Sequence, residues 1–261
     1  LCHASVLDGI RLSGARRYYF GHNNLGDLDD KLKRYARVDR GRNWIITEAV
    51  FSMDGDTPDL VGLCELAESH GACVYLDEAH AIGVRGPAGA GEAAAQGVSD
   101  RIAVNVFPCG KAPGLLGAFV CGRPELKEFL VNRARSLIYS TAQPPLLVHL
   151  LLRVIAFLKS PEAEDRREHL LSLANSLRER LGRLGFSTGS ASTQIVPVIV
   201  GGEADALRLA EACQREGLDV RAIRPPTVPR GTSRLRVCLQ SGHTVADVER
   251  LVQVLEANQK N

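Results

Sequence analysis

One short segment of the chain combines a carboxylate and an imidazole in a setting that suits ligand binding. Within Tyr75–His80, an apolar run ends at Asp77, and His80 follows three residues later. Ligands of open parallel sheets bind at the carboxyl ends of the strands, so Asp77 is a candidate site residue. A helix cap or an ordinary loop carboxylate remains the alternative from this segment alone. A metal site is disfavoured, because no third ligand stands at a recognisable spacing.

A second segment, Pro108–Gly114, places a lysine in a tight turn. The chain has six lysines against twenty-six arginines, and Lys111 is the only lysine in an apolar, turn-rich stretch. We expect it to be partly desolvated, and such a lysine has a lowered pKa and can form a Schiff base. A loop lysine with a solvated ammonium group is the alternative.

Asp77, His80 and Lys111 together match the requirements of a pyridoxal phosphate site. That cofactor needs a carboxylate to keep its ring nitrogen protonated, a lysine to hold it covalently and commonly an aromatic or imidazole face against the ring. The three residues stand at the ends of neighbouring predicted strands. A plain nucleotide-binding protein is a weaker interpretation, because no G-x-G-x-x-G motif follows a strand.

The elements that must position these residues alternate along the first part of the chain. Apolar, β-branched runs predict strands at 44–51, 72–76, 102–107 and 117–121, and the spacing of apolar residues predicts helices at 59–70, 124–139 and 146–159. This alternation is typical of βαβ units. We therefore predict an α/β fold, with a mainly parallel sheet flanked by helices.

The pattern changes after Ser160. Five leucines recur at helical spacing between Leu170 and Leu184, and further strands and helices are predicted at 195–200, 204–216, 220–223, 234–239 and after Thr244. These elements predict a smaller α+β domain. We expect a large domain at 1–150 and a small C-terminal domain, with its linking helix, at 151–261.

Composition excludes several classes of partner. Thirty-two basic and thirty acidic side chains leave a net charge of +2, which argues against nucleic acid and anionic membranes as partners. No apolar run reaches the roughly 18 residues that a membrane span needs, and no signal peptide is visible. Seven scattered cysteines without a C-x-x-C pair indicate neither a disulfide framework nor a zinc site. A cytoplasmic protein is expected.

Several motifs resemble those of the α-oxoamine synthases, which are pyridoxal-phosphate enzymes of the aspartate-aminotransferase fold, fold type I. The matching segments run in order along the chain: residues 3–5, 8–9, 12–15, 20–23, 48–56, 77–84, 110–112, 138–141, 222–229, 231–232 and 234–236. The resemblance implies a transferase that uses pyridoxal 5'-phosphate and no metal. It also implies that a region preceding His3 in the family is absent here.

The resemblance also implies a role for each matching residue. Lys111 matches the Schiff-base lysine, Asp77 the partner of the ring nitrogen and His3 the imidazole stacked on the ring, where it also faces substrate. Ser52 and His80 match polar partners of the cofactor. Substrate contacts are implied for Arg224, Thr227 and Arg236, and we favour Arg236 for the substrate carboxylate because arginine pairs with it bidentately. Ser140 and Thr141 match a segment that reaches a neighbouring subunit's cofactor phosphate, which implies a homodimer with a shared active site.

The reaction implied is a decarboxylative condensation of an amino acid, L-alanine, with a pimeloyl thioester on coenzyme A or acyl carrier protein. The product would be 8-amino-7-oxononanoate, an intermediate of biotin biosynthesis. Glycine C-acetyltransferase and 5-aminolevulinate synthase, from the same family, are the alternatives among enzymes. An inactive fragment or partner subunit is the alternative outside catalysis.

One position departs from the family pattern. The family usually has Thr or Ser three residues before the lysine, where a hydroxyl meets the cofactor phosphate. Here Pro108 stands at that position and offers neither a hydroxyl nor an N–H group. Cys109 or backbone amides are the substitutes that the sequence suggests.

Overall fold

The computed structural model describes residues 2–35 and 41–259, and these form two compact units. Unit 1 consists of Leu1–Val50 and Pro58–Glu164, and unit 2 of Phe51–Thr57 and Asp165–Asn261. The division into functional domains at residue 150 stays a prediction. Unit 1 extends beyond residue 150, to Glu164, and unit 2 includes the short segment Phe51–Thr57 from the first third of the sequence.

Unit 1 contains four strands, seven α-helices and the start of an eighth among the described residues. The strands are β1 (Trp44–Glu48), β2 (Cys73–Asp77), β3 (Val104–Pro108) and β4 (Ala118–Gly122). The helices are α1 (Ala4–Ser13), α2 (Leu25–Tyr35), α3 (Leu60–Ser69), α4 (Glu92–Ala95), α5 (Pro124–Arg133), α6 (Arg135–Ile138) and α7 (Pro145–Leu158). Helix α8 (Pro161–Arg183) begins in unit 1 and ends in unit 2.

The sheet of unit 1 has the order β1-β2-β3-β4. Strands β1, β2 and β3 are parallel, whereas β4 runs antiparallel to β3. Parallel strands need a crossover of a dozen or more residues, and the stretch between Pro108 and Ala118 is too short for one. The predicted α/β fold, with a mainly parallel sheet and flanking helices, is confirmed.

The core of unit 1 lies between the sheet and helix α3. Along α3, Leu60, Leu63, Cys64 and Ala67 are buried at the spacing of one helical face, and Val74 and Leu76 of β2 are buried as well. The carboxylate of Asp59 caps the helix by accepting the Gly62 N–H. Helices α5, α6 and α7 differ, because they have no buried residue in the described chain.

Unit 2 is an antiparallel sheet with helices. Its strands are β5 (Ile195–Gly201), β6 (Arg221–Ile223) and β7 (Ser233–Cys238), in the order β5-β7-β6, and its further helices are α9 (Glu203–Arg215) and α10 (Val245–Ala257). Thr244 caps α10, as the sequence predicts, in a capping box with Asp247.

The segment Phe51–Thr57 belongs to unit 2 through Gly55. The Gly55 carbonyl accepts from Thr193 Oγ1 at 2.8 Å and from the Ser192 N–H at 3.0 Å. Gly55 has φ +67°, and a Cβ there would lie 2.0 Å from the carbonyl oxygen of Ile195. Only glycine fits at this position, because both the backbone angle and the available space exclude a side chain.

The described helices differ in length and in apolar character. Helix α7 is apolar but has only 14 residues, whereas α8 has 23 residues and many charged ones. Within residues 2–35 and 41–259, no helix has both the length and the apolar character that crossing a membrane requires.

Candidate functional site

Asp77 is the last residue of β2, a strand that lies between β1 and β3. Its side chain is buried, with 8% exposure, and its Oδ1 accepts the Ala79 N–H at 3.0 Å. Its backbone carbonyl accepts the Ala49 N–H at 2.8 Å from the end of the neighbouring strand. These bonds fix both the backbone and the carboxylate at the carboxyl end of the parallel strands, where the sequence predicts a site.

The electrostatic surroundings of Asp77 combine burial with positive charge. Burial raises the pKa of its carboxyl group, whereas the hydrogen bond from Ala79 and the charges of His3 and Lys111 lower that pKa. Two candidate site residues therefore act on Asp77 through space. Unit 1 brings Asp77, His3 and Lys111 into one electrostatic cluster.

Lys111 lies in the turn that joins β3 to β4. Its carbonyl accepts the Gly114 N–H at 2.9 Å, which closes the turn. The Lys111 side chain is exposed, and so is the neighbouring Leu116, at 78%. The expected desolvation of Lys111 is thus not seen, although Pro113 of the same turn is buried.

Pro108 and Cys109 decide what the turn offers to an anion. Pro108 ends β3 opposite Ala118. Cys109 is fully buried, its Sγ lies 3.6 Å from the Phe107 carbonyl, and its N–H donates to the Gly117 carbonyl at 2.9 Å. Because both donors of Cys109 are used within the turn, Cys109 does not replace the missing hydroxyl.

His3 and His80 have different surroundings. His3 is the N-cap of α1, where its Nδ1 accepts the Ser5 N–H at 3.3 Å and lies 2.8 Å from Ser5 Oγ. The imidazole is exposed, so its face is accessible to a ligand. His80 is half-buried in the turn that follows Asp77. Their predicted contacts with a cofactor stay predictions.

Two arginines of β7 hold the backbone around Ser52 in unit 2. Arg236 Nε donates to the Ser52 carbonyl at 2.5 Å. Arg234, with 5% exposure, pairs with Asp54 at 2.5 Å and donates to the Met53 carbonyl at 3.2 Å. Arg236 therefore positions the Ser52 backbone, a contact that the sequence does not predict.

The two remaining groups of predicted site residues are exposed. Arg224 and Thr227 share the turn after β6, where the Thr227 N–H donates to the Arg224 carbonyl at 3.0 Å. Ser140 and Thr141 follow α6, and the Ser140 hydroxyl donates to the Ser136 carbonyl within the same helical turn. All four offer polar groups to solvent, and their substrate and phosphate contacts stay predictions.

Glu48 is a residue that sequence reasoning missed as a member of this site. It ends β1 directly opposite Asp77 in the sheet register and is buried, with 4% exposure. Two acidic residues therefore stand side by side at the carboxyl ends of adjacent parallel strands. The sequence did contain a signal for Glu48, because this residue opens one of the matching motifs. The sequence does not show, however, which strand lies beside the strand that Glu48 ends.

Comparison with known proteins extends this description to the whole chain. A curated 8-amino-7-oxononanoate synthase of Anaeromyxobacter dehalogenans (strain 2CP-1) is 45% identical over 257 residues, which are 98% of this chain and 63% of the relative. The chain thus spans about 63% of the length of that relative. The resemblance to α-oxoamine synthases is confirmed.

Solved structures agree with the predicted fold. A serine palmitoyltransferase from S. paucimobilis, solved with a bound PLP–myriocin aldimine, superposes with a TM-score of 0.91 at 32% identity and covers 98% of this chain and 64% of the other. An 8-amino-7-oxononanoate synthase from Francisella tularensis gives 0.82 at 27% identity, with 98% and 72% covered. These similarities confirm fold type I for the predicted large domain.

A family model assigns nearly the entire chain to one broad family. The model described as Aminotransferase class I and II matches residues 1–255, which is nearly the entire sequence. The match includes unit 1, unit 2 up to residue 255 and all the predicted site residues. On this evidence, the chain belongs to the aminotransferase class I and II family.

Proposed function

We propose that this chain carries the activity of an α-oxoamine synthase that uses pyridoxal 5'-phosphate. The reaction is the decarboxylative condensation of L-alanine with a pimeloyl thioester, which yields 8-amino-7-oxononanoate for biotin biosynthesis. The buried carboxylate of Asp77 at the end of β2, under the charges of His3 and Lys111, is the observation that carries the proposal. The similarity to a curated 8-amino-7-oxononanoate synthase supports the choice of reaction.

The donor set of unit 1 fits this cofactor. A buried carboxylate stabilises a protonated ring nitrogen, an exposed primary amine is accessible for covalent attachment, and an exposed imidazole offers a flat face. When bound, pyridoxal phosphate supplies a ring that accepts electrons from the carbon atom next to the amino group of the substrate. Asp77, Lys111, His3 and His80 are the residues of this unit that would hold it.

Each residue has a separate task in the proposed mechanism. Lys111 Nζ is the covalent anchor and, once released, removes the α-proton of the amino acid and later returns a proton. Asp77 would stabilise a proton on the ring nitrogen, because its carboxylate is buried and is held by the Ala79 N–H. His3 would offer its exposed imidazole face to the ring, and His80 would offer a ring nitrogen as a hydrogen-bond partner of the cofactor.

Unit 2 supplies the groups that we propose for the substrate. Arg236 uses Nε on the Ser52 carbonyl, and its two terminal nitrogens are the atoms suited to a bidentate carboxylate pair. The same contact ties the position of Ser52, a proposed cofactor partner, to that of Arg236. Arg224 and Thr227 are the further proposed substrate contacts, on an exposed turn.

We also propose a homodimer in which Ser140 and Thr141 reach the cofactor phosphate of the second subunit. The exposed apolar side chains of α7, which include Leu146 at 69% and Leu152 at 62%, support an interface on this part of unit 1. Sedimentation equilibrium with and without pyridoxal phosphate tests this. A monomer at all concentrations would contradict the proposal.

A different pair of substrates within the same chemistry is the second candidate. The higher TM-score of the serine palmitoyltransferase, 0.91 against 0.82, favours testing it. The experiment incubates the chain with pyridoxal phosphate and offers L-alanine, glycine or L-serine with pimeloyl, acetyl, succinyl or palmitoyl thioesters. We expect carbon dioxide release with alanine and pimeloyl thioester. Release only with another pair would change the substrate assignment, and a chain that takes up no cofactor would favour an inactive fragment.

A further inference from the structure

Glu78, the residue that follows Asp77, has no role in the proposed mechanism and is nevertheless fully buried. Its Oε2 accepts the Glu92 N–H at 2.8 Å, and its Oε1 accepts the Ala93 N–H at 2.9 Å. Both carboxylate oxygens are therefore bonded to the first turn of α4. These two hydrogen bonds join the end of β2 to residues that lie 14 and 15 positions further along the chain.

Helix α4 is itself held in place by a buried network. The Glu92 carboxylate accepts from Arg85 Nε at 2.7 Å and from Gln96 Nε2 at 2.9 Å. Gln96 also donates to the Pro58 carbonyl at 2.9 Å and accepts the Leu60 N–H at 2.8 Å. The two N–H groups that bind Glu78 therefore belong to a helical turn fixed against the start of α3.

The backbone of Glu78 begins the turn that carries His80. The Ala81 and Ile82 N–H groups both donate to the Glu78 carbonyl at 2.9 Å, and the Glu78 N–H donates to the Val106 carbonyl of β3 at 2.8 Å. Displacement of Glu78 would thus move Asp77 on one side and His80 on the other. The side chain and the backbone of this single residue therefore hold the backbone on both sides of it.

The space around the carboxylate is closed as well. Gly91 has φ +105°, and a Cβ at this position would lie 2.7–2.8 Å from the carboxylate atoms of Glu78. The backbone of Gly91 therefore packs directly against the carboxylate, with no room for a rotated side chain. The carboxylate of Glu78 has one position available.

The surroundings of Glu78 favour its protonated, neutral form over its charged form. The pKa of Glu78 is raised to about 7, because burial and the charges of Glu92 and Asp77 raise it more than the Ala93 and Glu92 N–H groups lower it. A buried acid next to a second acid is costly, so an apolar residue would be expected here if packing were the only requirement. The carboxylate supplies the two acceptor atoms that the Glu92 and Ala93 N–H groups use.

We propose that Glu78 is a positioning residue, which fixes Asp77 and His80 for the cofactor by binding the Glu92 and Ala93 N–H groups of α4. The expected effect on the cofactor rests on the proposed function, whereas the hydrogen bonds of Glu78 do not depend on it. In Glu78→Gln one oxygen still accepts, but the NH2 group faces an N–H donor, and one hydrogen bond is lost. In Glu78→Asp the charge stays, but the shorter side chain reaches neither N–H group well.

The test has one arm without cofactor and one with it. Without cofactor, we expect amide hydrogen exchange at Ala79, Ala81 and Ile82 to become about tenfold faster in both variants. With pyridoxal phosphate, we expect the dissociation constant to rise about tenfold and the pH dependence of the bound cofactor's absorption to shift. Glu68→Gln, the same exchange of carboxylate for amide on the exposed end of α3, is the matched control and should change none of these.

The outcomes separate this inference from the proposed function. Folded Glu78→Gln and Glu78→Asp proteins with the exchange rates of the control, or with unchanged cofactor spectra and affinity, would overturn the positioning role. A merely structural role predicts less folded protein but an unaltered absorption profile of the bound cofactor. If the unmodified chain takes up no cofactor, the proposed function fails, and the exchange rates alone decide the role of Glu78.

Discussion

Two turns at strand ends of the same sheet carry the two central residues, and they are built differently. The turn after β2 is held by side-chain bonds, since the buried Asp77 accepts the nearby Ala79 N–H and the buried Glu78 accepts the distant Glu92 and Ala93 N–H groups. The turn after β3 is held by local backbone bonds, such as Gly114 N–H to Lys111 carbonyl, and its lysine is exposed.

The difference separates two ways of placing a reactive group. A carboxylate that must hold one proton on one atom benefits from a fixed position, and buried hydrogen bonds supply that position. A lysine that must attach, release and transfer a proton benefits from rotational freedom, which an exposed side chain retains. Four predictions test this contrast.

Removal of the Lys111 amine, the group with rotational freedom, should have the largest effect. We expect Lys111→Ala to abolish covalent trapping of pyridoxal phosphate by borohydride, because the amine that would be reduced onto the cofactor is gone. The measurement is the mass of the treated protein. Lys127→Ala, on the exposed face of α5, is the control and should trap normally. Trapping at another lysine in Lys111→Ala would refute the assignment.

Removal of the fixed charge should reduce activity by two to four orders of magnitude, a range typical of proton-handling residues. In Asp77→Asn the side-chain oxygen can still accept the Ala79 N–H, so the thermal midpoint should change little while the cofactor's ring nitrogen loses its counter-charge. Steady-state rates and thermal unfolding are measured together. Normal activity at an unchanged midpoint would remove Asp77 from the mechanism.

Glycine substitutions compare the packing against the Glu78 carboxylate with the packing of the turn that carries Lys111. Gly91→Ala combines φ +105° with a Cβ 2.7 Å from the Glu78 carboxylate, and we expect the free energy of unfolding to fall by about 4 kcal/mol. Gly114→Ala, beside Lys111, has φ +68° but no atom within 4 Å of the new Cβ, so about 1 kcal/mol is expected from backbone strain alone. Urea denaturation measures both. Equal losses would contradict the contrast.

The pH dependence of stability should reveal the buried acid. Because the folded pKa of Glu78 is about 7 and its ordinary value is 4.5, the folded state binds its proton more tightly than the unfolded state. Its contribution to the free energy of unfolding is therefore present at low pH and is lost, by about 3 kcal/mol, as pH rises from 4.5 to 7. The difference in slope between the unmodified chain and Glu78→Gln isolates this contribution. Identical slopes would show that the raised pKa does not belong to Glu78.

Much of unit 1 follows from sequence pattern. Apolar runs located all four strands, and the ends of two of them correctly placed Asp77 and Lys111 at the carboxyl edge of parallel strands. The direction of β4 was missed, because an apolar run predicts a strand without its orientation. The helix predicted over 124–139 is divided at Ala134 into α5 and α6.

The parts that escaped prediction depend on contacts between distant residues. The role of Glu78 depends on the N–H groups of Glu92 and Ala93, and the pairing of Glu48 with Asp77 depends on strand order. The strand predicted to run to Phe51 ends at Glu48, since the chain there turns toward contacts with β5 and β7. Local propensity contains no information about such partners.

The bonds of Phe51–Thr57 also set an order of events during folding. Gly55 is 138 residues from Thr193 in the sequence, and Ser52 is 184 residues from Arg236. Closing loops of this size costs conformational entropy before any contact is gained, and such contacts slow folding. On a ribosome, the segment that carries Ser52 emerges 184 residues before Arg236, and it can reach its native position only after β7 has followed.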